Sequence, residues 1–393
     1  MTPSRLPHVG TTIFTVMSAL AVRHDAVNLG QGFPDFDCDP ALVDAVTRAM
    51  QAGHNQYPPM AGWPRLRVAI AEKIARNYGH VYDPETEITV TAGATQALLT
   101  AILAVIHPGD EAIVIEPAYD SYVPAILLAG GRPVIVQMRA PGESQTRFTI
   151  PWDQVRDAVT PRTRLIIVNS PHNPTGMTMR EDDLRALEEL VTHHALLVLS
   201  DEVYEHMVFD GMRHESVSRY PALAQRSIVV SSFGKTFHVT GWKVGYAAAP
   251  RALSDEFRKV HQFNVFTVNT PMQAAIAEYL EDPSRYLGLP AFYQAKRDFF
   301  RDGLDATRFT LLPAEATYFQ TVDFSAVRGD LSDTDFCRWL TSDIGVAAIP
   351  LSAFHEAPDE SPRESLRVQS LIRFCFAKKE QTLARALERL AAI

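Results

Sequence analysis

From residue 88 to about residue 230 the chain alternates short apolar runs with amphipathic stretches, and that rhythm admits few folds. The runs at 88–91, 111–115, 133–138, 164–168, 196–199 and 228–230 are short and mostly β-branched or aliphatic, as strands require. Helical patterning fills 96–106, 119–129 and 181–194, the last introduced by Glu181, Asp182 and Asp183, whose charges suit a helix N-terminus. Such succession gives parallel strands joined by crossover helices, so the reading is α/β: a mostly parallel sheet covered by helices on both faces. A strand-like run at 244–249 follows. Beyond residue 285 the rhythm changes. Helices at 292–304, 333–340 and 379–390 and strands at 317–322 and 371–376 no longer alternate as βαβ units, which reads as a smaller α+β domain. A chain of 393 residues exceeds one ordinary core. The expected division is an N-terminal arm at 1–40 joining the small domain, a large domain at 41–285 and a small one at 286–393. Ahead of the sheet, helices are expected at 12–21, 41–51 and 64–78.

Ligands of an open parallel sheet bind beyond the carboxyl ends of its strands, and polar residues gather there. Gly93-Ala94-Thr95 opens a helix, where free backbone amides attract phosphate. Asn169 and Asn173 follow the run at 164–168, and Asp201, with Tyr204 three residues on, follows the run at 196–199. Ser232 and Lys235 follow the run at 228–230. Each has an ordinary explanation alone: a helix start, an Asn-Pro turn, an N-cap, a surface lysine. Together they supply phosphate donors, an amide, a carboxylate and a lysine, a set suited to an aromatic aldehyde phosphate, pyridoxal 5′-phosphate (PLP). A lysine at the mouth of a buried strand is easily desolvated, and the neutral amine forms a Schiff base with an aldehyde. Gly234-Lys235-Thr236 also resembles the tail of a phosphate-binding nucleotide loop, but the glycine required five residues earlier is Val229.

Net charge is −9 with no basic tract, so a nucleic-acid partner is not expected. Cys38, Cys337 and Cys375 are odd in number and far apart, which fits a reducing cytoplasm rather than a disulfide framework. No C-x-x-C or H-x-x-x-H pair occurs, and no metal site is expected. The apolar run at 13–22 is too short to span a bilayer and lacks the small-residue cleavage site of a secretion signal. No membrane partner is expected.

Along almost its whole length the chain resembles the class I, fold-type I PLP-dependent aminotransferases. The stretches that carry the likeness are N-L-G-Q-G-F-P-D-F, N-Q-Y, T-A-G-A-T, P-x-Y-D-S-Y, N-x-P-H-N-P-T-G, S-D-E-V-Y-E-H, S-S-F-G-K-T, T-G-W-K-V-G-Y and I-R-F-C-F-A-K. The branch it resembles holds the kynurenine aminotransferases, glutamine transaminases and bacterial methionine aminotransferases. The resemblance implies a mostly parallel seven-stranded sheet sandwiched by helices, a homodimer and ping-pong transamination between an amino acid and a 2-oxo acid. It implies that Lys235 forms the Schiff base and Asp201 pairs with the pyridine nitrogen. Tyr204 and Asn173 would bond the ring-hydroxyl side, and Tyr119 would stack on the ring. Gly93, Ala94, Thr95, Ser232 and Lys243 would hold the phosphate, and Asn169 would also belong to the cofactor site. Lys243 stands where many relatives have arginine, so the charge is kept and the bidentate fork lost. Tyr57, in an extended segment, would reach the phosphate of a second subunit.

Arg373 would clamp the substrate carboxylate, helped by Gly32 and Asn173. Phe14, Tyr122, Phe266 and Phe354 would surround its side chain. Four aromatics and no second cation favour methionine, then aromatic donors, with aspartate poor. A β-lyase acting on cysteine conjugates is the near alternative. A ligand-sensing regulator on an inactive aminotransferase-like domain is the alternative from another class, but the residues ahead of position 88 lack a basic helix-turn-helix pattern.

Overall fold

Every residue of the strands Glu111–Glu116 and Ser227–Ser232 is buried, which strands covered on both faces require. The computed structural model describes residues 3–7, 9–142, 146–356 and 370–393. Its main sheet has seven strands, in the order Ile88–Thr91, Gly245–Ala248, Ser227–Ser232, Leu197–Asp201, Thr163–Asn169, Glu111–Glu116, Arg132–Gln137. All neighbours are parallel except Gly245–Ala248, which runs antiparallel to both strands beside it. Gly245 is required there: a Cβ would lie 2.7 Å from the Ser231 carbonyl oxygen and 3.2 Å from the Ala94 nitrogen.

Several boundaries move toward the site. The helix expected from residue 96 starts at once after its strand, as Gly93–Val105, because Gly93 adopts φ of 76°, a region that suits glycine. Asn169, Asp201 and Ser232 are the last residues of their strands rather than residues beyond them. The helix expected at 119–129 is Tyr122–Leu128, leaving Tyr119 and Asp120 in the loop ahead of it. Helices Arg251–Asn264 and Thr270–Tyr279 add to the elements inferred from pattern.

A second sheet of four antiparallel strands, ordered Ile349–Pro350, Leu371–Cys375, Phe319–Asp323, Thr310–Leu311, carries helices Leu289–Leu304 and Glu380–Leu390 nearby in sequence. The N-terminal segment returns to this region, with Val27–Asn28 paired parallel to Val346–Ala347. One buried apolar cluster runs from Ile166 and Val198 in the main sheet to Ile372 and Phe374 in the small one. Among the described residues no helix is long and apolar enough to cross a membrane.

Candidate active site

Parallel strands end on one edge of a sheet, and here they bring distant residues to one cavity of about 340 Å³, a volume suited to a small cofactor and substrate. Register puts Asn169 directly beside Asp201. The Asn169 side-chain amide donates to the Asp201 carbonyl at 2.9 Å, and its oxygen accepts from the Asn173 backbone N–H at 2.9 Å.

Asp201 is buried. Its carboxylate accepts from the Tyr122 hydroxyl at 2.8 Å and from the Val203 N–H at 3.3 Å. Burial dominates, and the carboxyl is pushed up to about 6 despite those donors and the charge of Lys235. This carboxylate has no ion-pair partner among the described residues. Lys235 lies in the single turn Phe233–Thr236, half-buried and lining the same cavity. Its ammonium donates to the Gly32 carbonyl at 2.9 Å and to the Tyr318 hydroxyl at 2.8 Å. Burial pulls the amine down to about 8, so a useful fraction is neutral near pH 7.5.

The anion-binding end is built by backbone and one cation. The helix Gly93–Val105 starts without a side-chain cap, so its first amides are free for a ligand. A Cβ on Gly93 would sit 3.5 Å from the Lys243 Nζ, which places that ammonium over the same helix start. Ala94, Thr95 and Ser232 complete this end, and the Thr95 hydroxyl lies 3.2 Å from that of Tyr119.

Arg373 stands at the opposite end, buried, donating to the Asn173 side-chain oxygen at 2.6 Å and the Gly30 carbonyl at 3.0 Å. Its Nε has no partner among the described residues. The guanidinium lies 3.9 Å from the Phe319 ring centroid and 4.9 Å from that of Phe354. Burial lowers it to about 10, so it stays charged.

Not every expected residue reaches this cavity. Tyr122 does not line it: the ring is buried and its hydroxyl is spent on Asp201, because a residue starting a helix turns its side chain back toward the helix N-terminus. Phe354 lies one layer behind, edge-on to Phe14 at 5.8 Å. Phe266 is apart from it, paired edge-to-face at 5.5 Å on the surface with Tyr57, which is expected to reach a second subunit's site rather than this cavity and is 82% exposed. Phe14, Gly32, Tyr119 and Tyr204 do line it. Three residues that the sequence reading passed over belong here: Tyr318, Phe319 and Asp120. Tyr318 and Phe319 come from the small sheet, and no motif marked them. Asp120 lay within the quoted P-x-Y-D-S-Y stretch without receiving a role.

A free helix start with an ammonium over it fits a phosphate. A half-buried lysine whose amine is partly neutral fits an aldehyde. A buried carboxylate lacking an ion pair fits a protonated ring nitrogen. The residues present therefore suit PLP, and the unused Arg373 Nε suits a carboxylate. Fold and site together define a fold-type I PLP-dependent transferase, and the family model for aminotransferases of class I and II matches residues 24–390. The chain belongs to that family and is a transaminase.

Among solved structures it is similar to a methionine aminotransferase of Escherichia coli, with 49% identity, TM-score 0.95 and all of both chains covered. It is also similar to the N-succinyldiaminopimelate aminotransferase of Mycobacterium tuberculosis, with 42% identity, TM-score 0.93 and all of both chains covered. A kynurenine–oxoglutarate transaminase of Dictyostelium discoideum is 35% identical over 412 residues, covering 97% of this chain and 94% of the relative.

Proposed function

We propose that this chain transaminates methionine and other large apolar or aromatic amino acids, kynurenine among them, with a 2-oxo acid as acceptor. The observation that carries the reading is the alignment, in one cavity, of Lys235 and Asp201 with Arg373 at the far end. PLP, when bound, supplies an electrophilic aldehyde and a ring that accepts electrons. Gly93, Ala94, Thr95, Ser232 and Lys243 would hold its phosphate, and Asp201 would keep the ring nitrogen protonated, with Asn169 beside it. Tyr119 would cover one ring face. Tyr204 and Asn173 would serve the ring-hydroxyl side.

Lys235 would be the amine that engages the aldehyde and, once released, the base that moves a proton at the substrate α-carbon. Arg373 would orient that carbon by holding the substrate carboxylate, with Gly32 and Asn173 beside it. Phe14 and Phe319 offer apolar surface to the side chain. Asp120, in the same cavity lining, opposes a second carboxylate. The exposed Tyr57–Phe266 pair suits a homodimer in which each copy completes the other's site. The composition suits a cytoplasmic enzyme, divided at about residues 40 and 285.

A donor panel read out as 2-oxo acid tests the substrate. Methionine is expected to exceed aspartate by at least about tenfold in kcat/KM, the scale of one unpaired buried charge. Aspartate ahead of methionine refutes the pocket. Asp120→Asn should narrow the gap by raising kcat/KM for aspartate severalfold.

A further inference from the structure

The Lys235 ammonium is held by residues that are not part of the main sheet. Gly32 belongs to the N-terminal segment, and Tyr318 directly precedes the strand Phe319–Asp323 of the small sheet. The three groups close a triangle: Lys235 Nζ donates to Tyr318 Oη and to the Gly32 carbonyl, and the Tyr318 hydroxyl donates to the same carbonyl at 2.6 Å. Tyr318 is fully buried, with its ring edge-on to Tyr204 at 5.1 Å and to Phe319 at 4.8 Å, so the hydroxyl has little freedom to move. Burial first, then the neighbouring Tyr204 and Cys375, push it well above the ordinary tyrosine range, so it stays a neutral hydroxyl. A neutral hydroxyl that donates to a carbonyl keeps lone pairs for an ammonium.

We propose that Tyr318 is a positioning residue for the free amine of Lys235, and that with the Gly32 carbonyl it forms the dock in which that amine rests whenever it is not bonded to the cofactor. The proposal rests on the reading of Lys235 as the reacting lysine. The dock has two consequences. It favours the protonated amine, because both contacts are acceptors facing N–H. It also limits the orientations of a flexible four-carbon side chain, so the amine is already near its proton-transfer position when released.

The test uses Tyr318→Phe, which keeps the ring and removes only the hydroxyl. Tyr293→Phe serves as the control. Tyr293 is equally buried, 5.8 Å from Tyr318 between ring centroids, and its own hydroxyl has no partner among the described residues. The first readout is the rate at which Lys235 of the cofactor-free protein reacts with trinitrobenzenesulfonate, followed by peptide mass across pH. Tyr318→Phe should move the midpoint down by about one unit, the size of one hydrogen bond to a charged group. Tyr293→Phe should leave it in place. The second readout is the methionine half-reaction of the loaded enzyme, where Tyr318→Phe should lower the limiting rate about tenfold and change half-saturation less than threefold.

An unmoved midpoint in Tyr318→Phe overturns the proposal, as does an equal shift in Tyr293→Phe, which would mark a general packing effect. Lys235→Ala separates the underlying reading. If that variant still forms a Schiff base with PLP by absorbance, Lys235 is not the reacting lysine, and both readings fall. If it loses the Schiff base while Tyr318→Phe leaves the midpoint unmoved, only the dock falls.

Discussion

Asp201 and Glu205 lie four positions apart in one stretch, both buried, and they are opposite kinds of carboxylate. Glu205 sits in a closed network. Lys73 donates to it at 2.6 Å and the Ser231 hydroxyl at 2.6 Å, the Tyr246 hydroxyl at 3.1 Å, and the Tyr78 hydroxyl binds its other oxygen. Burial alone would raise its pKa, but the charge of Lys73, with His206 and those donors, outweighs burial and holds it well below the ordinary range. Asp201 has a hydroxyl and an amide but no ion-pair partner, and burial pushes it up to about 6. A carboxylate already neutralised by a cation is part of the scaffold. One buried without an ion-pair partner suits a ligand that brings the positive charge. The same short stretch thus supplies a strut and a buried carboxylate left without a cation.

The largest effect that would break this contrast is on the strut. Lys73→Met should lower stability by about 3–5 kcal/mol in denaturant unfolding, because it leaves Glu205 buried and unpaired. Adding Glu205→Gln should recover much of the loss. Equal stabilities of the single and double variants would show that the pair is not coupled.

Asp201→Asn should do the reverse. Turnover should fall on the order of a hundredfold, about 2.7 kcal/mol of barrier. The cofactor-free protein should become more stable at pH 7–8, by up to about 3 kcal/mol, since a carboxyl raised by about two units is penalised when ionised. The sign follows from linkage. Cofactor-free wild type should gain stability from Asp201 as pH falls from above 6 toward 4, whereas the contribution of Glu205 is full above its unfolded value, about 4.3, and is lost as pH falls below it. Thermal melts of wild type, Asp201→Asn and Glu205→Gln from about pH 2 to pH 8 would separate the two slopes. A destabilised Asp201→Asn at pH 8 without cofactor would end the comparison.

The smallest expected change sharpens it. Tyr122→Phe removes a hydroxyl that lowers the Asp201 pKa, so that pKa should rise further. Turnover should drop about threefold to tenfold, with the acid limb of its pH profile shifted upward, measured from pH 5.5 to 8.5.

Much of the scaffold, and several residues of the cavity lining, could be read from the sequence. Short apolar runs and helical periods report the backbone's own hydrogen-bonding geometry, which is settled within a few residues. Once the strands are taken as parallel, topology alone carries Thr95, Asn169, Asp201, Ser232 and Lys235 to one edge, whatever the details of packing. Which partner each side chain meets is a different matter. Glu205 and Lys73 are 132 positions apart, and Lys235 and Tyr318 are 83 apart. Nothing local marks either pair. Tyr122 looked like a pocket aromatic until the start of its helix turned the hydroxyl onto Asp201. Phe266, expected around the substrate side chain, lies at the surface beside Tyr57, away from its own chain's cavity. The chain's period and motif spacing were enough for the sheet and for carrying Lys235 and Asp201 to one cavity. Only the folded molecule decided which of two buried carboxylates received a cation, because burial and long-range contact, rather than residue type, set the charge each group carries.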